Sequence, residues 1–219
     1  MFVDRKKELA LLNKEYLHGG FRLSVIYGRR RVGKTTLIKE YIKNKPAIYL
    51  LVTLESKQRV LRRFQNLVAD FFDDGFLKDI TVESFEQVFE YIAKQKLDKK
   101  MIIVIDEFQY LSKLDSATAS LFQLIVDEIV KNKNIHLVLC GSIISMMYEQ
   151  TLSYSSPLYG RRTSAIKLEA LKFEYISEFF GKKSQDELIE LYSVLDGIPR
   201  YLEMFKETKD IYKAIQNNI

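Results

Sequence analysis

Two histidines and a single cysteine are the only nitrogen and sulfur metal ligands in this 219-residue chain. His18 and His136 stand far apart, and neither has a cysteine or carboxylate cluster beside it, so a metal site built on protein ligands alone is not expected. One cysteine excludes an internal disulfide. The largely apolar run 135–139 before Cys140 marks a buried thiol and points to a cytoplasmic setting. The longest apolar runs, such as residues 101–105, are far too short to cross a bilayer, so no membrane partner is expected. Met1-Phe2-Val3 runs straight into Asp4-Arg5-Lys6-Lys7-Glu8, which lacks a signal-peptide pattern. Repeats and low-complexity linkers are also missing. What is present is ordinary for a globular chain: 47% hydrophobic residues, 29% charged residues and a net charge of +5. A chain of this size buries a substantial core without covalent staples.

The hydrophobic pattern alternates between two periods. Asp4 reads as an N-cap for a helix with Leu9, Leu11, Leu12 and Tyr16 at helical spacing, ended by Gly19-Gly20. Strand-like runs follow at 21–27, 47–53, 101–105, 135–140 and 164–168. Between them fall helical patterns at 35–43, 56–72, 84–96 and 117–131. The runs 101–105 and 135–140 are apolar on both faces, as central strands of a parallel sheet are. The alternation predicts an α/β fold, a three-layer α/β/α sandwich around a mostly parallel sheet. After Leu168 only helical patterns remain, at 172–180, 184–195 and 199–205, with a last stretch from about 210. The expected organisation is therefore a core over 1–170 and a small helical lid over 171–219. The chain stops inside a helix-like segment and reads as part of a longer protein.

Gly28-Arg29-Arg30-Arg31-Val32-Gly33-Lys34-Thr35 fits GxxxxGK[ST] with no mismatch, between a strand and a helix. The residue types follow from phosphate chemistry. Gly28 and Gly33 let the backbone curl so that N–H groups, including that of Val32, converge on anionic oxygens. The helix start adds its positive dipole end. Lys34 is a point charge for the β- and γ-phosphates of ATP or ADP. Thr35 offers a hydroxyl to Mg²⁺, and Thr36 lies by the α-phosphate. Arg29, Arg30 and Arg31 either add phosphate affinity or stay solvated.

Residues 101–105 lead into Asp106-Glu107. An acid at the carboxyl end of a central strand sits where ligands bind in open α/β sheets. Asp106 is the expected Mg²⁺ carboxylate, and Glu107 the acid that orients or deprotonates an attacking water. Gln109 either helps place that water or faces the surface. The third apolar strand ends in Gly141-Ser142; Ser142 either senses the γ-phosphate or caps the next helix. Arg161 and Arg200 are the arginines available to neutralise charge developing on the γ-phosphate, Arg161 in this chain or across a subunit boundary.

Taken together, these motifs resemble the archaeal-type ATPases of the STAND class, relatives of the AAA+ ATPases. The resemblance rests on Phe2-Val3-Asp4-Arg5 with Glu8-Leu9, the loop from Tyr27, Asp106-Glu107-Phe108-Gln109-Tyr110, Cys140-Gly141-Ser142, Pro157-Leu158-Tyr159-Gly160-Arg161 and Gly197-Ile198-Pro199-Arg200. It implies a P-loop NTPase sheet of order 5-1-4-3-2. It also implies that Phe2, Val3 and Arg5 line the adenine and that Pro199 packs on the base or sugar from the lid. Arg200 matches the spacing of a sensor arginine.

Mg²⁺-dependent ATP hydrolysis driving a conformational switch is the expected function. The alternative is a nucleotide-gated binding protein with negligible turnover that reports its state to a partner or to DNA. A protein partner or a homo-oligomer is compatible with either. The sequence pI of 9.0 and the clusters Lys99-Lys100, Lys131-Asn132-Lys133 and Lys182-Lys183 permit DNA as a further partner.

Overall fold

A computed structural model describes residues 3–181, 183–206, 213, 215 and 216. Phe2, Lys182 and most of the stretch beyond residue 206 lie outside the described residues, and with them the expectations placed there.

Five strands form one sheet: β1 (Arg22–Tyr27), β2 (Ala47–Leu51), β3 (Met101–Asp106), β4 (Ile135–Gly141) and β5 (Ser164–Lys167). All pairings are parallel, in the order β2-β3-β4-β1-β5, which is the expected 5-1-4-3-2. Every residue of β3 and β4 is buried, as their largely apolar runs require. The two-residue period then sorts side chains onto two faces. Met101, Ile103, Ile105, Leu137 and Leu139 pack under α3 (Lys57–Phe72) and α5 (Phe85–Lys94). Ile102, Val104, Val138 and Cys140 pack on the opposite face, under α1 (Lys6–Leu17) and α2 (Lys34–Ile42). Phe64 stacks on Phe85 and tilts against Phe89, closing the first of these layers.

Ser56 and Ser84 cap α3 and α5, accepting from the backbone N–H of Arg59 and Gln87. Asp4 is not the cap of α1. Its φ is 47°, its carboxylate accepts the N–H of Arg5, and Arg5 occupies the capping position with φ 128° and no side-chain cap. The helix expected over 117–131 is divided: α7 (Thr118–Leu124) passes into a π-helical turn over Ile125–Val130. Short helices α4 (Gly75–Asp79) and α6 (Gln109–Leu114) fill connections where no helix was expected, being too short to show a helical period, and α8 (Ile144–Met147) is the helix expected after Ser142.

Beyond β5, α9 (Ile176–Phe180), α10 (Gln185–Leu195) and α11 (Pro199–Met204) gather around Leu191, Leu195, Leu202 and Phe205 in a separate apolar cluster. A full capping box at Ser184 and Glu187 starts α10, and Pro199 occupies the first turn of α11. Val3 belongs to this cluster, so the N-terminal strap is part of the helical unit's packing.

Candidate functional site

The carboxyl ends of β1, β3 and β4 converge on a cleft of about 410 Å³. Its lining includes Arg31, Gly33, Lys34, Thr35 and Thr36 from the phosphate loop and α2, Glu107 after β3, Ser142 after β4, and Pro199, Arg200 and Glu203 from α11. The volume suits a small-molecule ligand. Nine of the seventeen expected site residues thus line one cleft, from chain segments far apart in the sequence.

The loop's shape follows from its glycines. Gly33 has φ 96°, a conformation glycine adopts at no steric cost. Gly28 meets a different demand: a Cβ there would lie 2.2 Å from the carbonyl oxygen of Leu168. Lys34 is buried, and its ammonium donates to the carbonyls of Gly28 and Arg29, each at 2.8 Å. Burial lowers its pKa, while Cys140, Glu107 and Asp106 act in the opposite direction and favour the charged form.

Asp106 is buried and fully engaged. One oxygen accepts from Thr35 Oγ1 at 3.0 Å and from the Tyr49 hydroxyl at 2.6 Å, and the other accepts the Glu107 N–H at 2.9 Å. Burial, and then the Asp106 hydrogen bond, raises the pKa of Tyr49, so its phenol stays a donor. Thr35 and Asp106 therefore place two hard oxygen donors side by side beside Lys34. That donor set fits Mg²⁺, which takes one or two protein oxygens and completes its shell with water and phosphate. Among the described residues no group of three His, Cys, Asp or Glu side chains forms a protein-only metal cage.

Glu107 is held in the left-handed region with φ 57°, at a cost of about 1 kcal/mol for a non-glycine residue. Its Oε2 accepts from Ser142 Oγ at 2.7 Å and from the Gln109 amide. Gln109 is fully buried and also reaches Ser142 Oγ at 3.4 Å. Gly141 makes this possible, since a Cβ there would strike Gln109 Oε1 and Met147. Ser142 is not a helix cap: α8 starts after Ile143 with no side-chain cap. Of the alternatives for Gln109, the surface one is excluded by its burial.

The candidate arginines stand in different places: Arg31 and Arg200 line the cleft, whereas Arg161 and Arg29 do not. Arg161 is absent from the cleft: Asp127 binds it in a bidentate pair, with Nε–Oδ1 2.8 Å and Nη2–Oδ2 2.6 Å, and the Pro157 carbonyl accepts from Nη1. The Asp127 hydrogen bond raises the Arg161 pKa and lowers that of Asp127. Arg29 turns from the cleft toward Asp196, 3.9 Å away at an exposed position. Arg31 (φ 71°) donates to the Tyr201 hydroxyl, and Arg30 to that of Tyr110. Arg200 lies 3.6 Å from Glu203. Arg5 lines a neighbouring slot but is engaged by the protein. It is buried, and its Nη2 donates to the carbonyls of Val32 at 3.2 Å and Glu169 at 2.6 Å, tying the phosphate loop to the segment entering the helical unit. Val3, Arg5, Val32 and Pro199 share a narrow slot of about 30 Å³ with Phe179, joined to the cleft through Gly33 and Thr36. Sequence reasoning missed Tyr49, Phe179 and Glu203. No local motif marks them, because each reaches the site from a separate element.

An all-parallel sheet with a glycine-rich loop, Lys34-Thr35 at a helix start and Asp106 opposite them defines a P-loop nucleoside triphosphatase fold. Residues 2–205 match the family described as an ATPase domain predominantly from Archaea, and the chain belongs to it. An uncharacterized protein of Methanocaldococcus jannaschii is 42% identical over 206 residues, covering 94% of this chain and 44% of the relative. The chain thus spans less than half of that protein's length. A Walker-type ATPase of Pyrococcus abyssi has a similar structure, with TM-score 0.74 at 23% identity over 99% of this chain and 71% of that one. A STAND protein with a tetratricopeptide repeat sensor from Pyrococcus horikoshii aligns with TM-score 0.63 at 20% identity, over 99% of this chain and 32% of its own. Among the described residues no helix is long and apolar enough to cross a membrane.

Proposed function

We propose that this chain hydrolyses Mg·ATP and that hydrolysis switches the placement of its helical part, residues 171–219, over the core, residues 1–170. The observation that carries the reading is Glu107: an acid held in a strained backbone conformation, with its carboxylate fixed by Ser142 and Gln109, on the cleft wall shared with Lys34. In this reading the N–H groups of the loop and Lys34 bind the phosphates, and Lys34 exchanges the carbonyls of Gly28 and Arg29 for phosphate oxygens. Thr35 and Asp106 hold Mg²⁺, which supplies neutralising charge on the phosphate oxygens. Glu107 accepts a proton from the attacking water. Ser142 orients Glu107 and senses the γ-phosphate. Val3, Pro199 and Phe179 flank the base, and Arg200, which lines the cleft from α11, approaches the γ-phosphate when the helices close. The lone buried thiol fits a cytoplasmic setting.

Phosphate release from Mg·ATP, compared between wild type and Glu107→Gln, tests this. Turnover should fall by about 10²–10⁴-fold in the variant, with ATP affinity nearly unchanged. Equal turnover in both would overturn the role of Glu107. A second reading is a nucleotide-gated binder with negligible turnover. It draws on the same clamp, because Ser142 and Gln109 both hold Oε2 of Glu107 and fix the carboxylate in place without a nucleotide. Retained ADP with no phosphate release from wild type would favour it.

A further inference from the structure

The nucleotide cleft uses one end of the sheet; the charge of this protein accumulates at the other. Because all strands run parallel, the loops preceding β2, β3 and β4 emerge together at the amino ends of three adjacent strands. Backbone hydrogen bonds tie them into one surface: Ile102 N–H donates to Pro46 O at 2.9 Å, and Met101 N–H to Asn134 O at 3.0 Å. Lys100 Nζ adds the turn before β1, donating to Gly20 O at 2.6 Å. These loops, residues 43–46, 95–100 and 131–134, carry seven lysines against one acid, Asp98. Their surplus of six exceeds the +5 of the whole chain, so the remainder is slightly acidic.

The lysines divide by task. Lys100 and Lys45 are spent on carbonyls and on Asn13, holding the loops together. Lys43, Lys96, Lys99 and Lys131 are exposed, and among the described residues none lies within ion-pair distance of a carboxylate. Lys133 shares a shallow depression with Glu90 and Glu128. Asp127, the acid whose charge Lys131 feels, is already bound by Arg161. The positive field is felt beneath the surface too, where Lys100, Lys45 and Arg22 add to the burial that keeps His136 neutral.

We infer that this amino-end surface binds the phosphate backbone of duplex DNA without reading its sequence. Three loops on adjacent strands spread the cations over about 10 Å, comparable to a major groove about 12 Å wide. Lysines are point charges suited to phosphates, and the loops contain no arginine for bidentate base contacts. They also contain no aromatic residue, so they offer no stacking platform, which argues against a single strand. Asn44, Asn132 and Asn134 supply neutral donors between the charges. Of the basic clusters seen in the sequence, two meet here. The third does not, since Lys183 turns to Glu187 in the helical unit.

The test is fluorescence anisotropy with a labelled random-sequence duplex between 50 and 200 mM KCl. Wild type should bind with a log–log salt slope of about −4, as four or five phosphate contacts require. The triple variant Lys43→Gln, Lys99→Gln, Lys131→Gln should lose on the order of tenfold in affinity and shift the slope toward about −1. Each single change should reduce the slope by about one. A control of equal net charge, Lys7→Gln, Lys113→Gln, Lys172→Gln, should bind duplex as wild type does. ATP affinity should be unchanged in both triples, which separates this surface from the cleft. Absence of salt-sensitive duplex binding by wild type, or an equal loss in the control triple, would overturn the inference. Tighter binding to single-stranded DNA of the same length, or binding to vesicles of anionic lipid in place of duplex, would overturn the assignment of the partner.

Discussion

The two ends of one parallel sheet use charge in opposite ways. At the carboxyl ends, Lys34, Thr35, Asp106 and Glu107 are packed into a satisfied network in which nearly every polar atom has a protein partner. At the amino ends, Lys43, Lys96, Lys99 and Lys131 are exposed, and among the described residues none has a carboxylate at ion-pair distance. The contrast follows from burial. A buried charge is tolerated only when paired or hydrogen-bonded, so the cleft holds its groups in fixed geometry and keeps them ready for a small, highly charged ligand. An exposed charge costs little and is screened by salt, so the far end suits a large, diffuse polyanion.

The largest effect that sharpens this contrast is expected from Lys34→Ala. It should reduce Mg·ATP affinity by a hundredfold or more, on the order of 3 kcal/mol, measured by titration calorimetry, while leaving the melting temperature near that of wild type. A variant that still binds ATP as tightly would break the assignment of the cleft. Next comes Arg5→Ala. Removing a buried guanidinium leaves the carbonyls of Val32 and Glu169 without their donor, and unfolding in urea should show a loss of about 2–3 kcal/mol. Arg5→Lys should recover only part of it, because one ammonium cannot repeat the fork.

Between the two ends lies a buried polar cluster that reads pH. His136 Nε2 and Ser24 Oγ are 2.7 Å apart, and Nδ1 lies 2.6 Å from the Tyr41 hydroxyl. Burial above all, with Lys100, Lys45 and Arg22, pushes the imidazole pKa down to about 3. The folded pKa is below the unfolded value of about 6.5, so the unfolded chain takes up the proton first. Stability from this group is intact above about pH 6.5 and falls as pH drops from there toward 3. At pH 5 the loss should be about 2 kcal/mol. His136→Gln should be less stable at pH 7 yet flatter between pH 7 and 5 when urea midpoints are compared. Parallel pH profiles would show that the imidazole is not held neutral.

The smallest effect is expected from Arg161→Ala. The Asp127 pair is partly exposed, so stability should fall by only about 1 kcal/mol or less, and basal phosphate release should stay within a factor of about two. A tenfold drop in turnover that depends on protein concentration would instead place Arg161 at a neighbouring subunit's cleft.

Much of this was legible in the residues themselves. The largely apolar runs of β3 and β4 read as central strands, and the spacing of Gly28, Gly33, Lys34 and Thr35 marked the phosphate loop, because backbone curl and helix start are local properties. Asp106-Glu107 at the end of such a run was equally local. The helix over 117–131 was legible as helical but not as two segments, since a π-helical turn leaves no apolar period of its own.

Tertiary structure alone decided where long side chains went. Arg5, which the resemblance placed at the adenine, spans 164 positions to the Glu169 carbonyl. Gln109 read equally well as inside or outside until Gly141, from another strand, left the space it fills. Arg161 sat in a segment suited to a catalytic arginine, and Asp127 claimed it. Seven scattered lysines became one surface only because parallel strands bring three distant loops to the same edge. A sequence fixes what each stretch of backbone prefers over a few residues; which carbonyl, carboxylate or solvent a flexible side chain meets depends on how the chain returns to itself.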